Sequence, residues 1–222
     1  KMTPFLIIFD FDGTIADSVG HIVSIMQMAA QKHGVPPPAP AAIKAGMGLA
    51  TDMTVALAMP DANEDVIYKI ARQYETDYRE AQAHHHTSLF AGMQEMLEGL
   101  AQANVLAIAT GKTRPGLTAV LETMPHIRRL FASTHTASDG PGKPHPAMIE
   151  SAIAENAADP RRTLMVGDAV WDVQMARNAG VHAIGVTWGT MPRAALMDSG
   201  ADMVVDSVTE LDQQIRKFVK EL

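Results

Sequence analysis

Phe5-Leu6-Ile7-Ile8-Phe9-Asp10-Phe11-Asp12-Gly13-Thr14 is the stretch that decides the fold of this chain. An unbroken apolar run after Pro4 leaves no side for water, so it predicts a strand buried on both faces, as in a parallel sheet covered by helices. The run stops at two aspartates separated by one residue, then a glycine and a hydroxyl. Similar runs recur along the chain. Val105-Leu106-Ala107-Ile108-Ala109 ends at Thr110-Gly111, and Thr163-Leu164-Met165-Val166 ends at Gly167-Asp168. Val181 to Val186 is a further run and Ser133 to Ala137 a weaker one. Helical patterns separate them, and strands alternating with helices predict an α/β fold with a doubly wound parallel sheet.

The helices have readable ends. Pro144 and Pro146 open one that reaches Ala154, and the segment Ala169 to Asn178 stops at Gly180, a left-handed C-cap. From about Ala16 to His86 there is helical periodicity and no strand. Ser18 is suited to cap a helix running to about His33, Val35-Pro36-Pro37-Pro38 breaks it, and Asp61 or Asn63 starts a long helix past Tyr78. The expected organisation is a core built from residues 1–15 and 87–222, interrupted by an all-helical insertion over residues 16–86. The end from Glu210 to Lys220 reads as a solvated helix.

Composition narrows the function. Of the 222 residues, 18 are Lys or Arg and 25 are Asp or Glu, and 18 − 25 gives a formal charge of −7. Such a field repels polyanions and argues against a nucleic-acid partner. No run approaches the roughly 18 apolar residues of a membrane span, and the apolar run behind Lys1 is too short for a secretory signal. The chain has no cysteine, which excludes disulfides, thiolate metal sites and a thiol nucleophile together. A cytoplasmic protein with no membrane partner, monomeric or homodimeric, is the expectation.

In open parallel sheets the active crevice lies beyond the carboxyl ends of the strands. The residues found there are Asp10 to Thr14, Thr110-Gly111-Lys112, Gly142-Lys143-Pro144, and Gly167-Asp168 with Asp172. Any one of them is an ordinary cap or turn residue; the set is not. Carboxylates converging on one crevice repel each other unless a cation sits among them, and an oxygen-only donor set favours a hard ion such as Mg²⁺. A cation, a lysine and a threonine together make a receptor for a tetrahedral dianion. Asp10 is then placed to attack phosphorus and Asp12 to protonate the departing oxygen.

These residues, with Gly167-Asp168-Ala169-Val170-Trp171-Asp172, resemble the four ordered motifs of the haloacid dehalogenase superfamily, and the helical insertion resembles that superfamily's small cap. Ser88-Leu89-Phe90-Ala91-Gly92-Met93 and Met175-Ala176-Arg177-Asn178-Ala179-Gly180 are similar to its phosphoglycolate-phosphatase-like members, apart from Ala91 where relatives carry proline. The resemblance implies a phosphatase acting on a small phosphorylated metabolite. In it Asp10 is the nucleophile that forms an aspartyl-phosphate, and Asp12 is first the general acid and then the base. Thr110, Gly111 and Lys143 hold the phosphoryl group. Asp10, the backbone carbonyl of Asp12 and Asp168 hold Mg²⁺, with Asp172 orienting the metal shell or pairing with Lys143. Dehalogenases lack the second acid, so Asp12 points to ester cleavage.

Several competing motifs are weaker. Ala109-Thr110-Gly111-Lys112-Thr113 lacks the first glycine of a P-loop, because Leu106 stands there. Adjacent His84, His85 and His86 point in different directions and read as polar surface. In the capped family that the chain resembles this loop faces the active site, which implies that Lys44 to Leu49 meet substrate. A phosphomutase of the β-phosphoglucomutase type would return the phosphoryl group to a sugar. A phosphonoacetaldehyde hydrolase would need a Schiff-base lysine, for which Lys44 and Lys69 are the candidates. A non-catalytic interaction module would have no use for Asp10 and Lys143.

Overall fold

The computed structural model describes residues 4–84 and 86–221. Six parallel strands form one sheet in the order β3-β2-β1-β4-β5-β6. They are β1 (Leu6–Phe9), β2 (Val105–Thr110), β3 (Phe131–Thr136), β4 (Thr163–Gly167), β5 (His182–Val186) and β6 (Met203–Val205). The opening apolar run lies at the centre, pairing Ile7 with Leu106 on one side and with Leu164 on the other. Its alternate residues feed two cores. Phe5, Ile7 and Phe9 pack with Met96, Leu97, Leu117, Leu211 and Ile215, while Leu6 and Ile8 pack with Ile149, Ala152, Val173, Ala176 and Leu196. Burial on both faces is therefore literal, and it explains why no polar residue interrupts the run.

The first core is covered by α5 (Met93–Leu100), α6 (Arg114–Glu122) and α11 (Val208–Glu221), the second by α8 (Ala147–Glu155), α9 (Val170–Ala179) and α10 (Arg193–Asp198). A short α7 (Pro125–Arg128) leads into β3. The terminal helix is not merely solvated: Leu211 and Ile215 are fully buried, and Phe218 meets the Phe5 ring edge-on at 5.9 Å. β6 has no counterpart among the expected strands; three residues are too few to show a period.

Between β1 and α5 lie α1 (Val19–Lys32), α2 (Pro40–Gly46), α3 (Thr51–Ala58) and α4 (Glu64–Gln82). Asn63 caps α4 by accepting from the Val66 amide at 3.0 Å. Ile22, Ile25, Met26, Ile43, Val55, Ile70 and Tyr74 form a separate apolar cluster drawn wholly from these helices. The chain leaves and returns through paired backbone, with Asp17 N donating to Ser88 O at 2.9 Å and Phe90 N to Ile15 O at 3.2 Å. His84 and His86 are exposed nearby, and His85 lies outside the described residues. Among the described residues no helix is long and apolar enough to cross a membrane.

Candidate active site

The strand ends bring four of the expected side chains into one buried knot. Lys143 Nζ lies 2.8 Å from Asp10 Oδ1 and 2.6 Å from Asp172 Oδ1. Asp10, Asp168 and Asp172 each offer an oxygen within 4.8 Å of the others. Local geometry explains how they hold. Asp172 sits in the first turn of α9 and accepts from the Ala169 amide at 3.1 Å, so it caps its own helix while reaching Lys143. Asp168 accepts from the Thr14 hydroxyl at 2.9 Å, the Thr190 amide at 2.8 Å and the Thr190 hydroxyl at 2.7 Å. Glycine makes room: a Cβ at Gly13 would come 2.5 Å from Asp168 Oδ2, and one at Gly167 would collide with Asp172.

Three buried carboxylates against one buried ammonium leave a formal surplus of two negative charges. The protons respond. Burial pushes the Asp10 carboxyl from 3.8 up to about 7 against the pull of Lys143, and the Asp172 charge adds to the rise. Asp168 rises to about 6, again through burial, with the Asp10 charge behind it and the Thr190 and Thr14 bonds opposing. Burial likewise raises Asp172 against Lys143. Desolvation works against the Lys143 charge, yet Asp10 and Asp172 hold it above its ordinary range. Surplus buried negative charge in a glycine-lined cradle of oxygens fits a hard divalent cation.

Asp12 is held apart. Its carboxylate takes the Ser18 hydroxyl on Oδ1 at 2.7 Å and Lys112 Nζ on Oδ2 at 2.9 Å. It is not in the acidic cluster, so its carbonyl is what remains for the metal role expected of it. Ser18 stands at the start of α1 but makes no side-chain cap there. Its hydroxyl has been drawn to Asp12 instead, a competition the helix pattern could not reveal. Lys112 is buried, and its ammonium sits 3.8 Å over the Tyr78 ring. Desolvation disfavours its charge, but Asp12, Tyr78 and Tyr74 hold its pKa up. Sequence reasoning gave neither Ser18 nor Lys112 a role in the site; Lys112 was visible only as a residue beyond a strand end and as the lysine of a failed P-loop.

A cavity opens beside Asp10, between the sheet and the helical insertion. Thr110, Gly111, Lys112, Asp10 and Asp12 form its floor side, while Ile22, Met26, Met47, Leu49, Tyr74 and Tyr78 come from the insertion. Met47 to Leu49 do face the cavity as expected, whereas Lys44 is exposed outside it. Lys69 pairs with Asp65 at 2.6 Å on the surface. Neither lysine lines the cavity, so among the described residues the Schiff-base reading has no lysine of the insertion to work with.

Comparison with known proteins follows the same line. A family model described as haloacid dehalogenase-like hydrolase matches residues 7–186. A probable phosphatase, IndB, of Dickeya dadantii is 34% identical over 93% of this chain and 91% of its own length. A phosphoglycolate phosphatase of Agrobacterium fabrum is 30% identical over 93% of this chain and 90% of its own. Among solved structures, one described as a predicted phosphoglycolate phosphatase from Haemophilus somnus superposes with a TM-score of 0.82 at 25% identity. That match covers 97% of this chain and 100% of the other.

Proposed function

Because the chain belongs to the haloacid dehalogenase-like hydrolases, we propose that it is a phosphatase of small phosphorylated metabolites, similar to phosphoglycolate phosphatases and located in the cytoplasm. The observation that carries this reading is the separation of its two motif carboxylates. Asp10 lies with Lys143 in the acidic knot, while Asp12, two residues on, is held by Ser18 and Lys112 at the cavity wall. Two carboxylates in different environments divide nucleophile and proton carrier between them.

In this reading an Asp10 oxygen forms a bond to phosphorus as the ester P–O bond breaks, and Asp12 gives its proton to the leaving oxygen. Asp12 then takes a proton from water, whose oxygen displaces Asp10 and releases inorganic phosphate. Lys143 fixes the Asp10 carboxylate by its 2.8 Å bond and offers charge to the phosphoryl oxygens. The Thr110 hydroxyl and the Gly111 amide bind the same oxygens from the end of β2. A Mg²⁺ ion held by Asp10, Asp168 and the Asp12 carbonyl, with Asp172 beside it, would offset the charge of the transferring group.

Residues 16–86 then act as a cap on a core of residues 1–15 and 87–222. Support for that division comes from the cap's own apolar cluster and the paired strands of backbone at exit and return. Closure over the cavity excludes bulk water and selects the leaving group. The test is a panel of phosphorylated metabolites with Mg²⁺, read as kcat/KM, with D10N as the blank. Release of phosphate from small esters at rates far above D10N is expected. Release that requires a sugar bisphosphate would move the reading to a mutase, and no release from any ester would end it.

A further inference from the structure

Trp171 has no place in the chemistry above, yet it sits next to Asp172 at the start of α9 and its indole N–H leaves the core altogether. Nε1 donates to the carbonyl of Ala45, in the last turn of α2, at 3.1 Å. The segment that follows, Gly46 to Ala50, runs directly over the strand ends. Gly48, at φ +98°, lies so close that a Cβ there would be 3.3 Å from Ala169 Cβ and 3.5 Å from Trp171 Cδ1. A Cβ on Gly111 would collide with the carbonyl oxygens of Gly48 and Leu49, and one on Gly142 would be 4.0 Å from Ala50 Cβ. This strap therefore lies against the loops that follow β2 and β4, with the Gly142 loop near its end.

It is also braced from within. Thr54 Oγ1 donates to Gly46 O at 2.7 Å, which ties the strap to α3, and Leu49 N donates to Gly46 O at 3.1 Å, which closes a turn within it. What ties it to the α9 loop is different in kind. Backbone packed on glycine has shape but little direction, whereas one N–H···O=C bond has a defined donor and acceptor. Trp171 supplies that bond from the residue beside Asp172, so strap position and acidic-loop position are joined through one side chain.

We propose that Trp171 is the latch that holds the cap strap, Ala45 to Ala50, down on the phosphoryl site, with Gly111 as the seat that admits it. Trp171 is thus a positioning residue that acts through the strap. The inference rests on the cap reading above, and it assigns the closed geometry to a named bond. A single hydrogen bond has the right strength for a latch, because it biases closure by about fivefold without making the strap too slow to open.

The test is amide hydrogen exchange on the full-length chain. Trp171→Phe keeps a ring against Gly48 and removes the N–H. Amides of residues 43–50 should exchange about fivefold faster, the loss of one net hydrogen bond, while those of β1 and β4 are unchanged. Gly111→Ala lifts the strap from the opposite side and should quicken the same amides. Unchanged exchange over residues 43–50 in both variants overturns the latch, and so does acceleration spread evenly through the sheet, which would make Trp171 a general packing residue. Exchange is read without turnover, so the latch can fail while the unaltered chain still releases phosphate, and the reverse.

Discussion

Asp10→Asn should inactivate the protein and make it more stable, and the size of the gain should follow pH. The metal-free knot carries three carboxylates on one ammonium, and burial holds the Asp10 carboxyl at about 7 instead of 3.8. A folded-state value above the unfolded one means that the native state holds its proton longer, so stability is full below about 3.8 and is lost as pH rises towards 7. The shift of roughly three units, at about 1.4 kcal/mol per unit, puts the loss near 4 kcal/mol by pH 7. The amide stands in for the protonated acid, so that figure already includes the attraction to Lys143 that the variant gives up. For a chain of this length it corresponds to roughly 10 °C in Tm. The assay is urea or thermal unfolding of both proteins in chelator from pH 4 to 8, beside turnover of an aryl phosphate. The curves should coincide near pH 4 and diverge upward, with turnover down by a thousandfold or more, on the order found when a nucleophile is removed. A variant no more stable than its parent at pH 7 would refute the electrostatic account. A variant that still turned over would refute Asp10 as nucleophile.

Ser18→Ala removes a bond to Asp12 and no helix cap, so turnover of alkyl phosphates should fall by about tenfold, as for a weakened general acid, while stability changes by less than the ~1 kcal/mol of a lost cap; a full cap-sized loss with unaltered turnover would reverse that assignment. Lys112→Met leaves the Asp12 carboxylate without its ammonium and should cut kcat/KM by about two orders of magnitude, since a half-buried charge loses its partner; parental activity would show that Lys112 merely fills space. Chelation should abolish turnover, and Mg²⁺ added at a hundred times its Kd should stabilise the parent by about 2.7 kcal/mol; a Tm indifferent to Mg²⁺ would remove the cation from the knot.

Much of this molecule can be read along the chain, for a definite reason. A strand buried on both faces needs an unbroken apolar run, and a helix on a sheet needs its caps and period, so Leu6–Phe9, Val105–Thr110 and Thr163–Gly167 announce themselves. The knot was legible too, because chemistry in a parallel sheet gathers where strands end, and Asp10, Lys143, Asp168 and Asp172 stand at such ends. Partnerships were not legible. Ser18 had two claims on its hydroxyl, the α1 amides and the Asp12 carboxylate, and local sequence shows only the first. Leu211 and Ile215 look like members of a charged terminal helix until the Phe5 side of the sheet is placed against them.

The sequence by itself determined the alternation of the five longer strands with helices, the candidate groups gathered at the strand ends and the absence of thiol chemistry, since each depends on residue type and near spacing. Tertiary structure alone decided which carboxyls are crowded together, which cation faces which acid and what covers the cavity. Lys112 meets Asp12 and Tyr78, and Trp171 meets Ala45 across 126 positions of chain. Such contacts depend on how α2 and α4 lie over the sheet, and that is set by the packing of a whole apolar cluster rather than by any neighbour in sequence.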